Sequence, residues 1–337
     1  MNYKLLGKTG LRVSELCLGT MTFGEDWKSG ANKEESKKVF DFYANKGGNF
    51  LDAANFYTYG TSEEYLGEFV KSDRDHFVIS SKYGLFDKLD DPNYMGNHRK
   101  NMIRSIEGSL KRMQTDYIDI FWLHIWDFTT DIEEVMRGLN HLIQQGKVLH
   151  IGISDTPAWI IAKANMLAKQ HGWAEFSAVQ LEYSLIERGA ERDLIPMAKD
   201  FGMTVNTWSP LGAGILTGKY LEKIEGRLTE KSFKMSEHNL NVSRQLKEVA
   251  DEVGRPSAQL ALRWVKQSDD TIIPIVGARK LSQLEDNFGC LDFELTEEQM
   301  QKLNKISEIN LGFPHEFMQR SSTQKNLWGR MKKRVLF

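Results

Sequence analysis

NFLDAANFYTYGTSEEYLG (49–67), HFVISSKYG (76–84) and DYIDIFWLHIWD (116–127) decide the fold, because each carries an ionisable residue at or just past the end of an apolar run. Asp52 follows NFL, Lys82 ends FVISSK and His124 ends IDIFWLH, while Tyr57 lies in the loop after the first run. The runs are apolar on both faces. Parallel strands read this way when helices cover one side and a barrel interior packs the other. Five more runs extend the pattern outward: LCLG (16–19), HIGIS (150–154), AVQLEYS (178–184), TVNTWS (204–209) and TIIPIVG (271–277). Eight strands alternating with helical segments predict an α/β fold, the closed (β/α)8 TIM barrel. In such a barrel the carboxyl ends of the strands share one face, so Asp52, Tyr57, Lys82 and His124 are expected to converge on one pocket.

The segments between strands have helical period. In KEESKKVFDFYANKG (33–47), Val39, Phe40, Phe42 and Tyr43 form one stripe, and Gly47 and Gly48 supply a stop. SEEYLGEFVK opens on Ser62, and RKNMIRSIEGSLKRMQ places Met102, Ile106, Leu110 and Met113 on one side. Thr130 with Glu133 predicts a capping box before VMRGLNHLIQQG. Two regions break the repeat. YKLLG and LRVSE, around Lys8-Thr9-Gly10, predict a hairpin that plugs the barrel bottom. Residues 210–239 form a long polar stretch with several glycines, the kind of loop with which barrels build ligand sites. The expected organisation is one barrel over residues 1–311 and a basic tail over 312–337, which caps the pocket or frays.

With 337 residues, 41% of them hydrophobic, the chain can bury a large core. Its 44 Lys and Arg balance 46 Asp and Glu, which gives no reason to expect nucleic acid or an anionic membrane as partner. Cys17 and Cys290 lack CxxC spacing, which argues against a disulfide framework or thiolate metal site and fits a reducing compartment. No signal-like apolar core or run of membrane-spanning length occurs, so a soluble cytoplasmic protein is expected, with no metal.

A phenol with a pKa near 10 holds its proton about three units too tightly to be a good acid at neutral pH. An ammonium at Lys82 would favour the phenolate of Tyr57, Asp52 would keep that lysine charged and aimed, and His124 would donate to the same carbonyl oxygen or relay protons. Each residue taken alone has a structural reading: a cap for Asp52, a snorkelling lysine, a core histidine. Their placement on successive strand ends favours function. Tyr59, Tyr83 and Lys88 are competing hydroxyl and cation candidates. Met21, Phe23, Phe56, Tyr83, Phe86 and Trp126 lie in strand-end segments and predict an aromatic substrate pocket.

LDAANFYTYGTSEEYLG, with HFVISSKYG and DYIDIFWLHIWD, resembles the aldo-keto reductase family, from KLLGKTGLRVSELCLGTMTFG through GARKLSQLEDN. SDTPAW and WSPLGAGILTGKY resemble its aryl-alcohol dehydrogenase-like and potassium-channel β-subunit-like branches. The resemblance implies a barrel that binds NADPH and reduces aldehydes or ketones, with Tyr57 as acid tuned by Lys82 and Asp52 and assisted by His124. It also implies a cofactor site. Trp208 would stack on the nicotinamide, and Ser154, Asp155 and Gln180 would bind its carboxamide. Asp155 stands where many relatives carry Asn, and an ionised acid accepts from an amide but cannot donate. Ser209, Leu211, Gly212, Gly214, Lys219 and Arg227 match the diphosphate segment. Gly277 and Arg279, with Lys280, match the 2′-phosphate group, and Gln283, Asp286 and Asn287 the ribose and adenine contacts. Gly19, Thr20, Met21 and Asp52 complete the set.

The channel-associated branch supplies the alternative reading, a redox-sensing NADP(H)-binding regulatory subunit with slow turnover. A barrel hydrolase lacks HExxH or a usefully spaced carboxylate pair, and GAGILTGKY fits neither GxxxxGK[ST] nor GxGxxG, which argues against a P-loop nucleotidase.

Overall fold

The computed structural model describes residues 1–337 apart from Lys28, 223–225, Arg227, Glu230, 332–333 and 336–337. Strands β1 (Tyr3–Leu5) and β2 (Arg12–Ser14) pair antiparallel as a hairpin, in the register Tyr3 to Ser14. Eight further strands follow: β3 (Cys17–Gly19), β4 (Phe50–Asp52), β5 (Val78–Tyr83), β6 (Ile118–Leu123), β7 (Val148–Ser154), β8 (Ala178–Glu182), β9 (Thr204–Trp208) and β10 (Ile272–Gly277). They close into a parallel barrel in chain order, β10 returning to β3 through Ile275 opposite Cys17.

Helices α1 (Lys33–Asn45), α2 (Thr61–Val70), α3 (Arg99–Met113), α4 (Ile132–Gln144), α5 (Ala158–His171) and α6 (Leu194–Phe201) follow β3 to β8 one by one. Both α7 (Glu237–Val253) and α8 (Ser257–Ser268) follow β9, and α9 (Leu281–Phe288) with α10 (Glu297–Ile306) follows β10. Two short helices, α11 (His315–Gln319) and α12 (Ser321–Trp328), form the tail and bury none of their residues. No helix among the described residues is long and apolar enough to cross a membrane.

Period-two alternation sorts the strand residues into two cores. Phe50, Val78, Ile120, Trp122, Ala178 and Ile273 pack inside the barrel, joined by Leu6 and Val13 of the hairpin segment, which therefore plugs its lower end. One position on, Leu51, Ile79, Phe121, Leu123 and Val179 face the helices. The interior is tight. A Cβ on Gly152 would stand 2.2 Å from the Trp122 ring, so only glycine admits the indole there.

Two helix starts differ from the sequence expectation. α4 is capped by Asp131, whose carboxylate accepts from the Glu133 N–H at 2.8 Å, because the carboxylate one residue on competes successfully with the Thr130 hydroxyl. α2 begins at Thr61 behind Gly60, and Ser62 is buried within it, donating to the Thr20 carbonyl at 2.8 Å. The stretch at 210–239 contains a short 3-10 turn at Gly212–Thr217 and ends as α7 starts at Glu237.

Candidate active site

Asp52 closes β4, Lys82 lies one residue from the end of β5, and both point inward because they continue the interior rows begun by Phe50 and Val78. Lys82 is fully buried and donates three hydrogen bonds: 2.7 Å to Asp52 Oδ2, 2.8 Å to the Ala53 carbonyl and 3.0 Å to the Tyr57 hydroxyl. An ammonium has three donors, so this one is saturated. The other Asp52 oxygen accepts from Ser80 Oγ and from Gln180 Nε2, each at 2.9 Å. The His124 ring meets the Tyr57 ring edge-on, centroids 6.0 Å apart, and its buried Nδ1 has no partner.

Burial acts to lower the Lys82 pKa, but the Asp52 carboxylate and then the Tyr57 phenol outweigh it, so the ammonium is held above its usual value. Burial and, secondarily, Lys82 push the His124 imidazole well below 6.5, leaving it neutral at pH 7. Tyr57 departs from the expectation that its ammonium neighbour dominates. Burial raises the phenol, Lys82 lowers it, Asp52 raises it again, and the net pKa is pushed up to about 12. Because the Asp52 carboxylate opposes the field of Lys82 at Tyr57, burial prevails.

The loops carrying the site are strained. Thr58 and Tyr59 both lie in the left-handed region, at φ 46° and 53°, as do Phe128, Asp155, Ser209 and Ala213, each in a loop that follows a barrel strand. Left-handed backbone disfavours L-residues by roughly 1–2 kcal/mol each, and such strain concentrates at functional faces.

The aromatic pocket is smaller than expected. Tyr83 is fully buried against Phe121, with ring centroids 5.2 Å apart, because its side chain points to the helices where that of Lys82 points into the barrel. Phe23 is fully buried against Phe69, and Trp126 belongs to the same outer core. These three are core residues. Phe56 and Phe86 meet edge-to-face at 5.1 Å and keep part of their surface open, as does Met21. The competing candidates separate from the centre: Tyr59 is 69% exposed, Lys88 lies over the Tyr94 ring, and the Tyr83 hydroxyl meets the Asn97 carbonyl. Three residues that the sequence reading passed over belong here. Ser80 and Asn206 are polar interruptions of apolar strands; Asn206 Oδ1 accepts from Gln180 at 3.1 Å. Trp27 is an aromatic in an otherwise polar loop and packs 6.4 Å from the Tyr57 ring.

Of the residues expected to hold a cofactor, those at the ends of β3, β7, β8, β9 and β10 stand on the same barrel face, with differences in their freedom. Ser154 Oγ is buried at the end of β7, beside the Asp155 carboxyl. Trp208 Nε1 donates to Asp155 Oδ1 at 3.1 Å, and burial pushes the Asp155 carboxyl up to about 6. Gln180 has its amide N–H groups committed to Asp52 and Asn206, and Thr20 donates to the Asp52 carbonyl at 3.0 Å, so both act first in building the site. Ser209, Leu211, Gly212 and Gly214 form the bend and 3-10 turn after β9, and Lys219 curls over Gly214. Gly277 closes β10 beside Gly19 of β3. Arg279 forms no ion pair among the described residues, while its backbone N–H donates to Gln283 Oε1 at 3.0 Å. Asn287 is buried and Asp286 accepts from Gln259 of α8 at 2.8 Å, which turns these two toward packing. Arg227 lies outside the described residues.

The aldo/keto reductase family model matches residues 15–308, and the chain belongs to that family. It is 38% identical over 330 residues to a norsolorinic acid reductase of Aspergillus flavus, covering 95% of this chain and 84% of that protein. It is 40% identical over 329 residues to the aryl-alcohol dehydrogenase [NADP(+)] of Phanerodontia chrysosporium, covering 91% and 86%. A putative aryl-alcohol dehydrogenase of Saccharomyces cerevisiae is 37% identical over 330 residues, covering 92% and 88%. The protein is thus an oxidoreductase of a family that uses nicotinamide cofactors and acts on small-molecule carbonyl compounds.

Proposed function

We propose that this protein is an NADPH-dependent reductase of aldehydes and ketones, aryl carbonyl compounds among them, with Tyr57 as general acid. One observation carries the reading: a single buried ammonium, Lys82, bonds both the Asp52 carboxylate and the Tyr57 hydroxyl. Ser154 and Trp208 would hold the nicotinamide, the 209–219 segment the diphosphate, and Arg279 the 2′-phosphate; the buried Ser154 hydroxyl at a strand end and an Arg279 with no ion pair among the described residues fit such a guest. Bound there, a reduced nicotinamide would supply hydride to the carbonyl carbon, and the oxygen would become an alkoxide.

The chain's own residues manage the proton. A phenol held at about 12 is fully protonated at neutral pH, as an acid must be before it acts. It is nevertheless stronger than the conjugate acid of an alkoxide, near water's value of about 15.7, so transfer to that oxygen is downhill. Lys82 then stabilises the phenolate left behind, and Asp52 keeps the ammonium in place. Neutral His124 offers a hydrogen-bonding ring without a second positive charge. The aryl preference rests on Phe56 and Phe86 at the mouth and on the relatives named aryl-alcohol dehydrogenases. The buried thiols of Cys17 and Cys290 suit a reducing compartment such as the cytoplasm.

Tyr57→Phe tests the reading. Reduction of nitrobenzaldehyde, followed by NADPH absorbance, is expected to fall about a hundredfold or more while NADPH binding persists. Reduction at the parental rate would remove Tyr57 as the donor.

A further inference from the structure

We infer that Trp27 is a specificity-determining residue that favours carbonyl groups attached directly to a planar aromatic ring; the inference rests on the reductase reading above. Three rings hold its indole: Phe56 at 5.5 Å, Tyr59 at 6.2 Å and nearly perpendicular, and Tyr57 itself at 6.4 Å and 75°. Phe56 in turn rests edge-to-face on Phe86. Rings from the loops after β3, β4 and β5 therefore gather beside the phenol that would give up its proton.

The loop that presents Trp27 is built to hold it. Gly24 N–H donates to the Ala31 carbonyl at 2.9 Å and Ala31 N–H to the Thr22 carbonyl at 2.7 Å, pinching the loop at its neck. A Cβ on Gly30 would lie 1.6 Å from the Gly24 carbonyl oxygen, so no other residue closes that neck without shifting it. The loop after β4 is tied to the same neck, since the Thr58 hydroxyl donates to the Phe23 carbonyl at 2.7 Å. Thr58 and Tyr59 adopt left-handed backbone in making this arrangement.

Packing alone does not account for Trp27. Phe23, at the foot of the same loop, is fully buried in the outer core, whereas Trp27 is held by three rings and stays only partly buried. An aromatic surface fixed against the Tyr57 ring offers a flat, apolar wall. A ring conjugated with the carbonyl is coplanar with it and lies flush with such a wall as the oxygen meets Tyr57. An alkyl chain rotates freely and gains less from it.

The test compares 2-naphthaldehyde with hexanal in the wild-type enzyme, Trp27→Leu and Trp27→Phe, reading kcat/KM for both and NADPH affinity by fluorescence. Trp27→Leu keeps apolar bulk and removes the ring. It is expected to lower the ratio of kcat/KM for 2-naphthaldehyde to that for hexanal about tenfold while NADPH affinity changes by less than about twofold, and Trp27→Phe should fall between. An unchanged ratio of the two aldehydes in Trp27→Leu overturns the inference, whether both rates hold or both fall. Should that variant not fold, the ratio in Trp27→Phe decides in the same way. A wild-type enzyme that reduces neither aldehyde, or any other carbonyl compound, defeats the reductase reading itself.

Discussion

The lower and upper halves of the barrel interior are filled by the same strands, two residues apart, and are opposites in chemistry. Phe50 becomes Asp52, Ile120 and Trp122 give way to His124, and Ala178 to Gln180. Below, Leu6 and Val13 complete an apolar plug. Above stand a buried ion pair, a partnerless Nδ1 on His124, and left-handed residues in the loops. A buried pair contributes little net stability because desolvation offsets its attraction, and each unpaired buried group costs about 1–3 kcal/mol. The lower half stabilises the fold, and the upper half draws on that stability to hold groups where chemistry needs them.

The contrast can be broken most sharply at Phe50. Phe50→Ala removes a fully buried ring from the plug and is expected to cost about 3–5 kcal/mol in urea unfolding, with kcat of the folded fraction kept. A collapse of kcat at unchanged stability would erase the distinction between the halves. Arg279→Ala, on the upper rim, should leave the unfolding midpoint in place and weaken NADPH about tenfold more than NADH, by loss of a charged hydrogen-bonding group. Calorimetric titration of both cofactors checks this, and equal weakening would refute the 2′-phosphate role. The smallest effect is a flat line. Tyr57 acts as an acid only while protonated, so kcat/KM for reduction should not lose its phenol as pH rises through the neutral range, declining only on approach to about 12. A fall near pH 8 would mean that the ammonium dominates burial after all.

The two halves also differ in how far the sequence discloses them. All eight barrel strands and the hairpin are legible, because doubly buried parallel strands leave uninterrupted apolar runs and the hairpin leaves a Lys-Thr-Gly turn. The meeting of Asp52 with Lys82 is legible too, since each ends such a run. Facing was the weaker inference. Tyr83 adjoins Lys82 in the chain, yet alternation sends it to the opposite side of the sheet, and Phe23 likewise packs outward. Trp27 escaped notice because a loop's conformation depends on contacts such as Gly30 against Gly24, which no local pattern announces. The balance that sets Tyr57 also lies beyond reading from residue types, since it depends on how far burial outweighs two opposed charges.

The junction of β10 with β3 joins residues more than 250 positions apart, and the molecule stitches it repeatedly: Lys4 donates to the Asp270 and Ile272 carbonyls, Thr22 to Ala278, and Leu281 N–H to Glu35. A solenoid can lose a terminal repeat and keep the rest. Here, deleting the last strand would expose two open edges at once, on β9 and on β3, and would take the Arg279 turn with it. Ring closure therefore needs both ends of the chain in place, through contacts of the long-range kind that form slowly.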